Sequence, residues 1–290
     1  MHALSLALSM ALPLLACAGS SGPAPTLDEL KNASYRGLEL PQEPITLKDG
    51  KWEGPQDMVT WTRGAVATGD LDGAAGEETA VILTRTGTGS GSFSYLAVVR
   101  RSGGRIENMA TLFVGDRVQV RAMRIQDARV HVDLVQAGPA DAACCPGDLV
   151  TRSWSLASGR LLETGPPQPS GRLTVSAIGT ATWVLRWWSW DEAAPATPEV
   201  TLSFADGMLG GSAGCNHYNA QVADGSSPGD VSISRALGTL MACPEPIMEV
   251  EARFLRQLAA VTKFGFLPGQ LVLTYTHDGA VRTMILEARP

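Results

Sequence analysis

The sequence predicts an α+β protein built as two β-rich domains, the second carrying one main helix. Three observations support this. Residues 28–164 hold short alternating polar and apolar segments cut by turn clusters, with no long helical period. The stretch Gly165 to Gly171 reads Gly-Pro-Pro-Gln-Pro-Ser-Gly, and prolines so dense do not fit a helix interior or a central strand. After Pro246, Phe254, Leu255, Leu258 and Val261 recur at helical spacing before strand-like alternation resumes.

The front of the chain is apolar from Met1 to Leu15, with no Lys or Arg before Asp28. A membrane span needs about 20 apolar residues, so this shorter run reads as a signal-peptide core. It ends in Leu14-Leu15-Ala16-Cys17, which resembles a bacterial lipobox. The resemblance implies that residues 1–16 are a lipoprotein signal peptide and that lipid is carried on the Cys17 sulfur. The membrane is then a partner through the anchor, since several acyl chains on one cysteine hold stably. Ala18 follows the cysteine, which implies the periplasmic face of the outer membrane. Residues 17–27, rich in Gly, Ser and Pro, are expected to form a flexible tether.

Within residues 28–164, Gly-Asp-Leu-Asp-Gly at 69–73 is an acidic loop between two strands, and 93–100 alternates as a third. The segments 117–126 and 129–135 flank Asp127-Ala128 and read as a hairpin. Polar residues on one face and Val or Ile on the other suit an antiparallel sheet covered on one side. Residues 165–172 are expected to be the linker. In residues 173–290, Ala205-Asp206-Gly207, Pro268-Gly269 and Asp278-Gly279 punctuate further strands. Glu249 and Glu251 fall in the early turns of the expected helix, where its dipole favours carboxylates.

The formal net charge is −6, with acids and bases mixed along the chain. No basic block or basic-aromatic interleaving occurs, which argues against nucleic acid as a partner. Without a Cys-x-x-Cys, neither a thioredoxin-like site nor a zinc knuckle is supported.

Residues 173–290 carry Trp183, Gly214-Cys215-Asn216, Tyr218, Met241-Ala242-Cys243-Pro244, and Met248, Glu251 and Phe254 at helical spacing. This combination resembles the META domain family (HslJ-like). The resemblance implies a META-type antiparallel sheet with one main helix. It also implies a non-enzymatic envelope module acting in stress or antibiotic tolerance, through a partner in the envelope or outer membrane. Leu240 stands where the family often has Arg, and His217 replaces another frequent Arg. Cys215 and Cys243 both fall in this region, so the economical pairing joins them; Cys144 and Cys145 are then bonded to each other or free. Gly214 permits a positive φ where a strand leaves its partner, and the Asn216 side chain can fix the corner through neighbouring backbone.

Other motifs carry less. Gly210-Gly211-Ser212-Ala213-Gly214 matches a nucleophile-elbow pattern, but Cys-Asn-His-Tyr-Asn is a poor helix start, and Ser212 reads as a strand residue. His131, His217 and His277 show no repeated ligand spacing. No cofactor is expected beyond a weak calcium possibility at Asp70, Asp72 and Glu77; Ala74 and Ala75 stand where further oxygens would help. A small-ligand or calcium-binding periplasmic module is therefore the alternative function. Trp188 and Trp190 are expected on one face of a strand, with Trp187 on the other.

Overall fold

The computed structural model describes residues 23–74, 76–142 and 144–289. The expected signal peptide and Cys17 lie outside the described residues. Among the described residues, no helix is long and apolar enough to cross a membrane.

The described chain opens in a capped turn. Thr26 caps α1 (Leu27–Lys31), its hydroxyl accepting from the Glu29 N–H while the Glu29 carboxylate accepts the Thr26 N–H. Arg101 bonds both that carboxylate and the Pro23 carbonyl. The stretch expected as tether is thus docked from Pro23 onward. β1 (Ser34–Tyr35) and β2 (Ile45–Thr46) pair as a short ribbon.

Two antiparallel sheets follow. β3 (Lys51–Glu53), β4 (Asp57–Gly69), β5 (Glu78–Gly87), β6 (Ser92–Ser102) and β7 (Arg105–Asp116) lie in sequence order. β8 (Gln119–Gln126), β9 (Arg129–Gln136), β10 (Asp148–Ala157) and β11 (Arg160–Glu163) form the second sheet, and β12 (Gln168–Arg172) also pairs with β10. The first sheet is covered on both faces, not one. Ala80, Ile82, Leu96 and Val98 pack with Val130 and Val132 of the second sheet. Val81, Leu83, Tyr95 and Val99 pack with Leu30, Tyr35 and Leu47 of the N-terminal segment. The reason is in β5, where Ala80 to Leu83 run apolar without alternation, the pattern of a strand buried on both sides.

The stretch expected as linker is corrected: residues 168–172 form an edge strand. Pro169 sits opposite Val150 beside a β-bulge, and a sheet edge tolerates a residue with no N–H. Arg172 then ties the strand down through Asp141 and Asp148.

The C-terminal sheet contains β13 (Trp183–Ser189), β14 (Glu192–Ala193), β15 (Thr201–Ala205), β16 (Met208–Ser212), β17 (His217–Asp224), β18 (Val231–Ile233) and β19 (Leu237–Gly238). Helix α2 (Glu245–Ala259) follows, then β20 (Val261–Leu267), β21 (Gln270–His277) and β22 (Ala280–Ala288). The main order is β18-β17-β16-β15-β13-β22-β21-β20. A bridge between Asp230 and Lys263 brings the two ends together, so the sheet curls into a barrel-like form. The fold is α+β and dominated by antiparallel strands. α2 turns Phe254 and Leu258 into the core, whereas Val261, expected in the helical stripe, opens β20.

The two parts share packing. Val135 and Leu149 belong to the C-terminal core. Beside β20, the Phe266 N–H donates to Gln119 Oε1 at 2.8 Å, and the Gly269 N–H donates to the Arg121 carbonyl at 3.0 Å. The Arg121 guanidinium stands 4.6 Å from the Phe266 ring centroid.

Candidate functional site

Gly214, Cys215, Asn216, Met241, Cys243 and Glu251 converge at one corner, between the end of β16 and the approach to α2. Gly214 adopts φ +127°, and a Cβ there would press to 3.2 Å of Pro198. The next two residues are pinned. Cys215 is disulfide-bonded to Cys243. The Asn216 side chain uses both amide protons and both oxygen lone pairs. Its Nδ2 donates to Glu251 Oε1 at 2.9 Å and to the Met241 carbonyl at 3.2 Å. Its Oδ1 accepts from Thr239 Oγ1 at 2.7 Å and from the Met241 N–H at 2.8 Å. The Asn216 backbone N–H donates to Glu251 Oε2 at 2.6 Å.

Sequence reasoning placed Glu251 at the helix start for the sake of the dipole. The structure gives it another task. Glu251 and Asn216 are 8% and 4% exposed, and the carboxylate satisfies two donors that water cannot reach. That link spans distant parts of the chain, so no local pattern reveals it. Pro244 occupies the N-cap of α2, its carbonyl accepting from the Met248 N–H. Tyr218 is buried edge-on against Phe254, with its hydroxyl donating to the Thr201 carbonyl. Burial pushes its phenol well above the usual range. Trp183 Nε1 donates to the Ile178 carbonyl. Leu237, Leu240 and Met241 stand exposed beside the corner, as does His217.

In the acidic loop, Asp70, Asp72 and Glu78 bring carboxylate oxygens within 4.8 Å of one another. Glu77 is the wrong neighbour: it is exposed, whereas Glu78 opens β5 and points inward. Glu78 accepts the Leu71 N–H at 2.8 Å, and burial raises its pKa, helped by Asp72 and Asp70 nearby. The loop's own backbone already occupies the aspartates, Gly73 N–H on Asp70 and Ala74 N–H on Asp72. Arg100 lies 3.9 Å from Asp72, placing a cation where a metal ion would compete with it. Three hard oxygens suit calcium, but that ion takes six to eight.

Ser212 ends β16, and the chain turns back into antiparallel β17 instead of a helix. Its hydroxyl accepts from the Gly214 N–H, so it helps shape the corner. Cys144 and Cys145 are bonded to each other. The expected pairing of Trp188 with Trp190 is corrected. The register shifts between Trp187 and Ser189, which breaks the alternation at Trp188, and the strand ends at Ser189. Trp188 is buried under the Arg253 guanidinium at 4.4 Å, while Trp190 is 64% exposed.

Residues 176–288 match the family model described as META domain. A search of curated proteins finds no match. An NMR structure of a protein from Burkholderia xenovorans is similar at 23% identity, covering 39% of this chain and 85% of that one, with a TM-score of 0.31.

Proposed function

Taking a META domain at residues 176–288 as the premise, we propose that this chain is a non-enzymatic module of the bacterial envelope, working through contact with other envelope components. One observation supports this above the others. The motif residues of the domain are spent on its own fold: every hydrogen-bonding position of Asn216, both oxygens of Glu251, and the Cys215–Cys243 bond. None is left facing a cleft as an acid, a base or a nucleophile. The finer reading is a lipoprotein anchored by Cys17 on the periplasmic face of the outer membrane and serving stress or antibiotic tolerance. Leu237, Leu240 and Met241 offer apolar contact area on the same corner.

Crosslinking in intact cells, followed by identification of what copurifies, tests the contact. A reproducible envelope protein, lost on Leu240→Asp, is the expected result; recovery of the chain alone would refute it. Cys17→Ala should release the protein from membranes, and continued attachment would remove the anchor.

A calcium-binding module is the second reading, resting on the convergence of Asp70, Asp72 and Glu78. It requires millimolar calcium to raise the melting temperature and Asp70→Ala to abolish the rise. An unchanged melt dismisses it.

A further inference from the structure

A cleft of ≈ 420 Å³ opens between the two domains. Its position at a domain interface and its size are those of small-molecule sites, which run from about 300 to 1,000 Å³. Its two sides differ in chemistry.

The floor is a row of hydroxyls. Thr60, Thr84 and Ser94 are register partners on β4, β5 and β6, so their side chains stand side by side across one face of the sheet. Thr62 joins them, its Oγ1 3.0 Å from Thr84 Oγ1. The opposite wall is aromatic and comes from the C-terminal domain: Trp187, Trp190 and Phe266. Ordinary alternation along β13 sends the two neighbouring tryptophans to opposite sides, Trp188 to the core and Trp187 to the cleft. Trp190 is 64% exposed at the rim. The guanidinium of Arg63 stands 5.7 Å from the Trp187 ring centroid; among the described residues it is the formal charge lining the cleft, and no carboxylate lines it.

Aromatic faces accept the apolar C–H face of a ring, while hydroxyls donate or accept as a ligand requires. Thr60 and Thr62 already bond across to Thr84, but each hydroxyl keeps further hydrogen-bonding capacity that a purely hydrocarbon ligand would desolvate and leave unmet. A polyphosphate would bring several negative charges to one guanidinium. The ligand that matches every wall has an apolar ring face, several hydroxyls and a single carboxylate. We propose that the interdomain cleft binds an acidic saccharide. Its ring stacks on Trp187 and Trp190, its hydroxyls meet the half-buried Thr60, Thr62 and Thr84, and its carboxylate pairs with Arg63. The proposal rests on the cleft alone and is independent of the membrane anchor.

The test is a tryptophan-fluorescence titration of the detergent-solubilised full chain. N-acetylmuramic acid and trigalacturonate are the acidic probes, with N,N′-diacetylchitobiose as the neutral one. Saturable binding of an acidic probe is expected, with the neutral probe about tenfold weaker or worse. Muramic acid alone would place the source in the cell wall; trigalacturonate alone would place it in a uronic-acid polymer. Arg63→Gln should weaken the acidic probe by a similar factor. Trp190→Ala should abolish binding while melting like the parent, since its side chain is exposed. No saturation by about 10 mM, where even a Kd near 1 mM would register, overturns the site. A neutral probe binding as tightly as the acidic ones overturns the acidic class. Binding that survives both substitutions overturns the location.

Discussion

Glu251→Ala offers a direct test of the corner. The substitution removes a buried carboxylate and strands two donors, the Asn216 N–H at 2.6 Å and Nδ2 at 2.9 Å. Each buried donor left without a partner costs about 1–3 kcal/mol. Relief from holding a charge at 8% exposure offsets part of that. The expected net loss is about 3 kcal/mol, or roughly 6–12 °C in melting temperature for a unit of this size. Glu251→Gln should cost less, about 2 kcal/mol, because one oxygen still accepts while the new NH₂ faces a donor. Urea unfolding under oxidising conditions, followed by tryptophan fluorescence, measures each change with the disulfide intact. The decisive quantity is the double-mutant cycle with Asn216→Ala. Because the two side chains share a hydrogen bond, the double variant should lose less than the sum of the singles by about 1 kcal/mol or more. Additivity within about 0.5 kcal/mol would refute the reasoning, as would a Glu251→Gln variant as stable as the parent.

Two further outcomes follow from neighbouring geometry. The Cys215–Cys243 bond closes a loop of sequence separation 28, so replacing both by Ser should destabilise by about 3.5 kcal/mol on the chain-entropy account, read as a shift in urea midpoint; non-reducing peptide mapping should join the two peptides, and free thiols would contradict the bond. Arg101 beside Glu29 and Arg172 beside Asp141 hold each carboxyl down at about 2. Depressed folded pKa values mean this stabilisation is intact above the ordinary carboxylate range and is lost as pH falls toward 2, from about 4.5 for Glu29 and from about 3.8 for Asp141; Arg172→Gln should flatten the fall in melting temperature below about pH 3.8, and an unchanged slope would count against the pairing.

Local chemistry accounts for what the sequence made legible. The hairpins at Asp127-Ala128, Asp206-Gly207 and Asp278-Gly279 are written into their turns, where the backbone adopts positive φ at each of these residues. The C-terminal domain is legible because its motif residues fall in short runs, 214–218, 241–244 and 248–254. What escaped depended on distant partners or on phase. β12 hides behind three prolines, since nothing local says that residues 168–172 will meet the edge of β10. The one-residue difference between Glu77 and Glu78 is settled by where β5 begins. Trp188 and Trp190 part company because the register shifts at Trp188 and β13 ends at Ser189. Glu251 looked like a dipole partner because its true partner lies 35 residues earlier.

The presence of Val135 and Leu149 in the C-terminal core has a consequence for anyone dividing this chain. A fragment cut at the recognised domain would be born with a bare hydrophobic face and without the side chains that finish its interior. Chimeras that transplant residues 176–288 alone should be sticky and poorly behaved. A phenotype seen on deleting the front half would report damage to the back half as well. Genetically, the chain is one inheritance unit: neither half can be varied along the shared seam without the other bearing the change.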